Sequence, residues 1–185
     1  MFGQTSRLRA LKQPVTPESP VLALHRDGDA KLEWRQPRWD QYFYRLESAR
    51  GLLAVMQTVG FVKLATTIQT AAGVYSLQSS WSGDLRLSFG GESEPRLHYK
   101  PDWWFGGRLT LRRGESLRWK VLGLSAHQLE TEEGFALATF AGSKEWFKSG
   151  SEVTVHDALW RRDDATELIC MAFAVLVIAT RRASD

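Results

Sequence analysis

From Leu32 to Val155 the chain runs in short alternations of apolar and polar residues broken by turn residues, the pattern of consecutive antiparallel strands with one buried face. The alternation predicts strands at Leu32 to Arg35, Tyr42 to Glu47, Leu52 to Gln57, Phe61 to Gln69, Gly73 to Ser79 and Asp84 to Phe89. It predicts further strands at Arg96 to Tyr99, Arg108 to Arg112, Leu117 to Leu122, His127 to Thr131, Phe135 to Phe140, Glu145 to Lys148 and Glu152 to Val155. Two hairpins carry a register, because residues paired across an antiparallel ladder point to the same face. A turn at Glu132, Glu133 and Gly134 sets Thr131 opposite Phe135, Leu129 opposite Leu137 and His127 opposite Thr139. A turn over Arg113, Gly114 and Glu115 pairs Leu111 with Leu117 and Leu109 with Trp119, leaving Arg108, Thr110, Arg118 and Lys120 on the other face.

The pattern changes at the C-terminal end, where ELICMAFAVLVIAT is apolar on every helical face and is followed by Arg181 and Arg182. The run from Leu168 to Ala179 spans about 18 Å as a helix, against a bilayer core of about 30 Å, so it does not predict a membrane span. Asp163, Asp164 and Glu167 before it and two arginines after it suit the helix dipole, and the helix is expected over about 163–181. A helix without a polar stripe must be enclosed. About a dozen strands suffice to close a barrel wide enough to hold one. The expected fold is therefore mainly β: a closed antiparallel barrel of about twelve strands around a buried hydrophobic C-terminal helix. Leu168, Ile169, Met171, Phe173, Leu176 and Ile178 would be its core residues.

Composition narrows the function. The chain has 185 residues with a formal net charge of +3, enough for one domain and too small an excess for a dedicated nucleic-acid binder. Residues 1–20 read as a flexible, mildly basic leader without the apolar core of a signal peptide, and 21–185 as a single domain, cytoplasmic by default. The single cysteine, Cys170, lies inside the apolar run, which excludes an internal disulfide and leaves burial as its expected fate. The four histidines show no metal-site spacing, and no nucleophile-elbow, P-loop or dinucleotide pattern occurs, so neither a cofactor nor a catalytic residue is assigned.

Several stretches resemble the tubby-like superfamily, which includes the tubby C-terminal domain, the plant LURP-one-related proteins and the phospholipid scramblases. They are TIQTAAGVYSLQSS at 67–80, HYKPDWWFGGRLTLRRGESLRWK at 98–120, EEGFALATF at 132–140 and the terminal helix. The resemblance implies a twelve-stranded closed barrel around a C-terminal helix, and it implies a type of site, because tubby domains bind phosphoinositide head groups through basic side chains on the barrel wall. It does not carry scramblase activity, since the cysteine cluster and acidic calcium segment expected of a scramblase are missing.

Two local features compete for function. Trp103, Trp104 and Phe105 beside a double glycine are either an aromatic contact for sugar, lipid or protein or, as the expected reading, filler between wall and helix, with at least one of the two tryptophans pointing inward. The basic hairpin is the sharper candidate. Arg108, Arg118 and Lys120 share a face, Arg112 lies at the turn and Arg86 on the neighbouring wall; together they are either a site for acidic head groups or phosphate or a solvated strand face that keeps the barrel soluble. The sequence thus points to a non-enzymatic binding module, peripheral at an anionic membrane surface or docked on a protein partner. A lipid or small-molecule carrier using the barrel interior, and an enzyme with an unrecognised site, remain open alternatives.

Overall fold

The computed structural model describes residues 20–26, 29, 31–36, 43–59, 65–102, 106–123, 126–142 and 151–184, with the backbone alone at 59, 65 and 178–184. Among them twelve strands follow one another: β1 (Lys31–Arg35), β2 (Phe43–Ser48), β3 (Gly51–Val59), β4 (Ala65–Thr70), β5 (Gly73–Ser79), β6 (Leu85–Phe89), β7 (Leu97–Pro101), β8 (Gly107–Leu111), β9 (Ser116–Val121), β10 (Ala126–Thr131), β11 (Ala136–Gly142) and β12 (Ser151–Val155). Each pairs antiparallel with its sequence neighbour, and β1 pairs with β12 to close the barrel. Closure leaves no free sheet edge. The expected strand at Glu145 to Lys148, the start of the one from Phe61, the aromatic run at 103–105 and residues 1–19 lie outside the described residues.

Alternation fixes which side chains enter the lumen. In β6, Leu85 and Leu87 are buried while Arg86 is exposed; in β9, Leu117 and Trp119 are buried while Arg118 and Lys120 are exposed. The lumen is filled by the terminal helix, Ala165–Ser184, whose residues from Leu168 to Leu176 are all buried. Phe173 anchors it, stacking on Trp34 of β1 at 3.9 Å between ring centroids and meeting Tyr44 of β2 edge-on at 5.6 Å. Ile178 belongs to the same helix, but its side chain is outside the described residues. The helix runs past the expected end at residue 181, since arginine is a good helix former and suits the C-terminal dipole. Among the described residues no helix is long and apolar enough to cross a membrane.

Both expected hairpin registers need correction. The β8–β9 loop is Arg112, Arg113 and Gly114, closed by Leu111 N–H donating to the Glu115 carbonyl at 2.8 Å, so that Leu109 faces Leu117 and Gly107 faces Trp119. Gly114, at φ 89°, takes the left-handed third loop position, as Gly134 does at φ 90° in the β10–β11 loop. The correction moves one strand by two residues and therefore preserves the faces. In the second hairpin Thr131 closes on Phe135 as expected, at 2.9 Å. Beyond it a bulge intervenes, because Glu130 pairs with Ala136 while Leu129 pairs with Ala138. His127 consequently faces Phe140 rather than Thr139. The bulge lets two successive apolar residues, Leu137 and Ala138, both be buried, which strict alternation forbids.

Connections alternate between two rims, and an ion cluster ties the start of the helix to one of them, here the entrance rim. Arg162 bonds Asp164 and Glu115, Arg113 reaches the same two carboxylates, and Arg96 donates to Glu167 at 2.9 Å, which also accepts from the Tyr75 hydroxyl at 2.7 Å. Burial and then the bond to Glu167 raise the Tyr75 pKa. The hydrogen bonds from Arg162, opposed by burial and helped by Arg113, hold Glu115 at about 2 against its ordinary 4.5. A carboxyl with a depressed folded pKa stabilises the fold above its unfolded pKa and loses that contribution as the pH falls through the folded value. The window for Glu115 is thus from about pH 4.5 down to about pH 2. Screening at this partly exposed cluster limits the effect to on the order of 1 kcal/mol. Glu115→Gln is expected to lower the thermal midpoint at pH 7 and to narrow the gap between the variant and the native chain at pH 3, as read by thermal unfolding at the two pH values.

Candidate functional site

The outer faces of β6, β8 and β9 carry Arg86, Arg108, Arg118 and Lys120, four of the five basic residues singled out from the sequence. Arg108 and Arg118 are direct cross-strand partners, and the register continues one strand further to Lys100 on β7, a residue outside the initial set. Lys100, Arg108 and Arg118 therefore form a single row across three strands, ended by Glu130 on β10. Directly opposed residues in a ladder hold their Cβ atoms about 5 Å apart, and like charges in that position destabilise the sheet. Lys120 stands two residues along β9 from Arg118 on the same face, opposite Gln128. Arg86 lies on β6 opposite His98.

The row is partly neutralised. Arg118 reaches Glu130 at 3.2 Å and donates to the Glu132 backbone carbonyl at 3.0 Å, and Arg108 lies 3.5 Å from the Glu132 carboxylate. Glu130 is 4% exposed, so Arg118 also serves to pair a buried carboxylate. Lys100, Lys120 and Arg86 are exposed and have no ion-pair partner among the described residues. Arg112 behaves differently from expectation: at the entrance rim it bridges Glu92 at 3.3 Å and Glu94 at 3.1 Å, in the turn that joins β6 to β7. It belongs to the ion cluster around the start of the helix, and the structure does not join it to the row.

Packing beneath the wall holds the row in place. The Tyr99 ring lies over Gly107, where an added Cβ would collide with it, and the Tyr99 hydroxyl donates to the Gly106 carbonyl at 2.8 Å. The double glycine thus admits a large inward ring beneath the Lys100–Arg108 pair, and burial raises that hydroxyl's pKa. On β10, His127 stacks on Trp119 at 5.3 Å, and burial lowers its pKa, which favours the neutral ring. Comparison with protein-family models, curated proteins and solved structures finds no match.

An exposed row of like charges costs stability unless a ligand answers it. Lys100→Glu turns the Lys100–Arg108 contact from repulsive to attractive, and it is expected to stabilise the fold by up to about 1 kcal/mol. The same change should weaken any binding of an anionic ligand. Thermal unfolding and vesicle binding on one preparation check both signs.

Proposed function

We propose that this chain is a tubby-like barrel module that docks reversibly on an anionic membrane surface, at the cytoplasmic face, through the outer wall of β6 to β9. The twelve-stranded barrel with a helix in its lumen is the architecture that the resemblance implies. What carries the reading is the Lys100–Arg108–Arg118 row, in which Lys100 faces Arg108 with no ion-pair partner of its own among the described residues, a contact unfavourable to the fold in isolation and favourable beside acidic head groups. The helix that fills the lumen makes the outer wall, not the interior, the surface for recognition.

A magnitude follows from the pairing. Each basic residue near an anionic leaflet contributes about 1 kcal/mol. Arg108 and Arg118 already have carboxylate partners, so Arg86, Lys100 and Lys120 supply most of the attraction, about 3 kcal/mol. That corresponds to a weak, salt-sensitive contact. Flotation with zwitterionic and with anionic vesicles, at low and at moderate salt, tests it. Binding confined to the anionic vesicles and lost with added salt supports the reading. Equal behaviour with both lipids would remove it and leave a protein partner as the occupant of the wall.

A further inference from the structure

Four large apolar side chains are exposed among the described residues: Trp81 at 86%, Phe135 at 65%, Leu122 at 47% and Val74 at 43%. Their places differ in charge. Phe135 follows Glu132 and Glu133 in the β10–β11 turn on the entrance rim, where acidic neighbours oppose an anionic surface. Trp81 and Leu122 lie instead at the far rim, in the connections that follow β5 and β9. The unpaired cations stand beside these connections. Arg86 is the second residue of β6, Lys100 the last but one of β7 and Lys120 the last but one of β9, each within two residues of the far end of its strand.

The turn that presents Trp81 is tightly tied. Ser80 N–H donates to the Asp84 carbonyl at 2.9 Å, Gly83 N–H to the Ser80 carbonyl at 3.2 Å, and the Ser80 hydroxyl both accepts from Asp84 N–H at 3.1 Å and meets the Ser82 hydroxyl at 2.6 Å. Gly83, at φ 96°, takes the left-handed position that closes it. A large indole held outward on a braced turn has no packing role in the barrel. Tryptophan suits the boundary between head groups and acyl chains, where its ring is buried and its N–H stays hydrated.

We infer that Trp81 is an interfacial anchor: the far rim meets the bilayer with this indole entering the head-group region, while Arg86, Lys100 and Lys120 behind it contact the anionic lipid. The inference rests on the membrane reading above and adds to it an orientation and an apolar contribution. The helix start and its ion cluster then face away from the membrane. Charge alone gives a weak contact, and reversible anchoring generally combines two signals, one apolar and one electrostatic.

Trp81→Ala is expected to weaken binding to vesicles of mixed phosphatidylserine and phosphatidylcholine about tenfold or more while leaving its salt dependence unchanged. A second measurement follows the site itself. Trp81→Cys labelled with an environment-sensitive dye is selective, because Cys170 is buried and its thiol is pushed up to about 12 by burial. Its emission should shift to the blue on those vesicles and be quenched by brominated acyl chains, whereas a probe at Glu94→Cys on the entrance rim should do neither. Unchanged affinity of the alanine variant together with an unshifted probe would overturn the anchor, and the membrane reading would then stand on charge alone if the native chain still binds. No binding by the native chain would overturn both.

Discussion

Ending the chain after Thr166 leaves the barrel without its interior, and the expected product is aggregated or molten protein that retains no cooperative thermal transition. The inward faces of twelve strands, from Leu32 and Trp34 through Leu117 and Trp119 to Val153, close on residues Leu168 to Leu176 of the helix. Removing these would open a large apolar lumen, far costlier than a cavity left by one side chain, and would expose the wall to intermolecular association. Single changes scale the effect. Phe173→Ala should cost about 3–5 kcal/mol, because it removes the ring stacked on Trp34 and met edge-on by Tyr44. Leu176→Asp should exceed it, since the residue is 2% exposed and a carboxylate there would lie unpaired in an apolar interior. Circular dichroism and thermal unfolding of the three variants measure this. A truncated chain with a sharp transition and full strand content would place the helix outside the core.

The second large effect concerns the wall. Replacing Lys100, Arg108 and Lys120 together by Glu is expected to abolish binding to anionic vesicles, a loss above about a hundredfold if each cation contributes about 1 kcal/mol and each reversal adds repulsion. The thermal midpoint should change little, because these side chains are exposed. Arg118 is deliberately kept. It pairs the buried Glu130, so its reversal would set two carboxylates together under the wall and confuse loss of binding with loss of structure. Unaltered binding by the triple variant, measured by flotation, would move the site elsewhere.

The parts of this account that sequence made legible are those governed by period. Two-residue alternation located the strands, and a helix with no polar face at the end of a β chain required enclosure. Faces survived where registers did not. In the β8–β9 hairpin the loop was misplaced by one residue, which shifted the pairing by two and left Arg108, Arg118 and Lys120 together. In β10–β11 the single-residue bulge at Leu137 was invisible, since it answers to burial of two adjacent apolar residues. Lys100 was missed for a local reason: the strand was expected to end at Tyr99, whereas β7 continues through Pro101, which a strand terminus tolerates. Arg112 is grouped with the basic face from its place at the turn, whereas its partners, Glu92 and Glu94, lie in the β6–β7 turn that β7–β8 pairing brings beside it on the same rim. Trp81 carried no periodic signal at all; its interest appears once the turn is seen to hold it outward, beside the cations of the far rim.

Docking on an anionic surface is the central claim, and the most direct measurement is a titration of the bound fraction of the native chain against the anionic lipid content of vesicles at fixed total lipid and low salt. A wall with three unpaired cations predicts no binding to purely zwitterionic vesicles, a steep rise as phosphatidylserine is added, and loss of that rise at moderate salt. A flat titration, with equal binding at every lipid composition, would contradict the account.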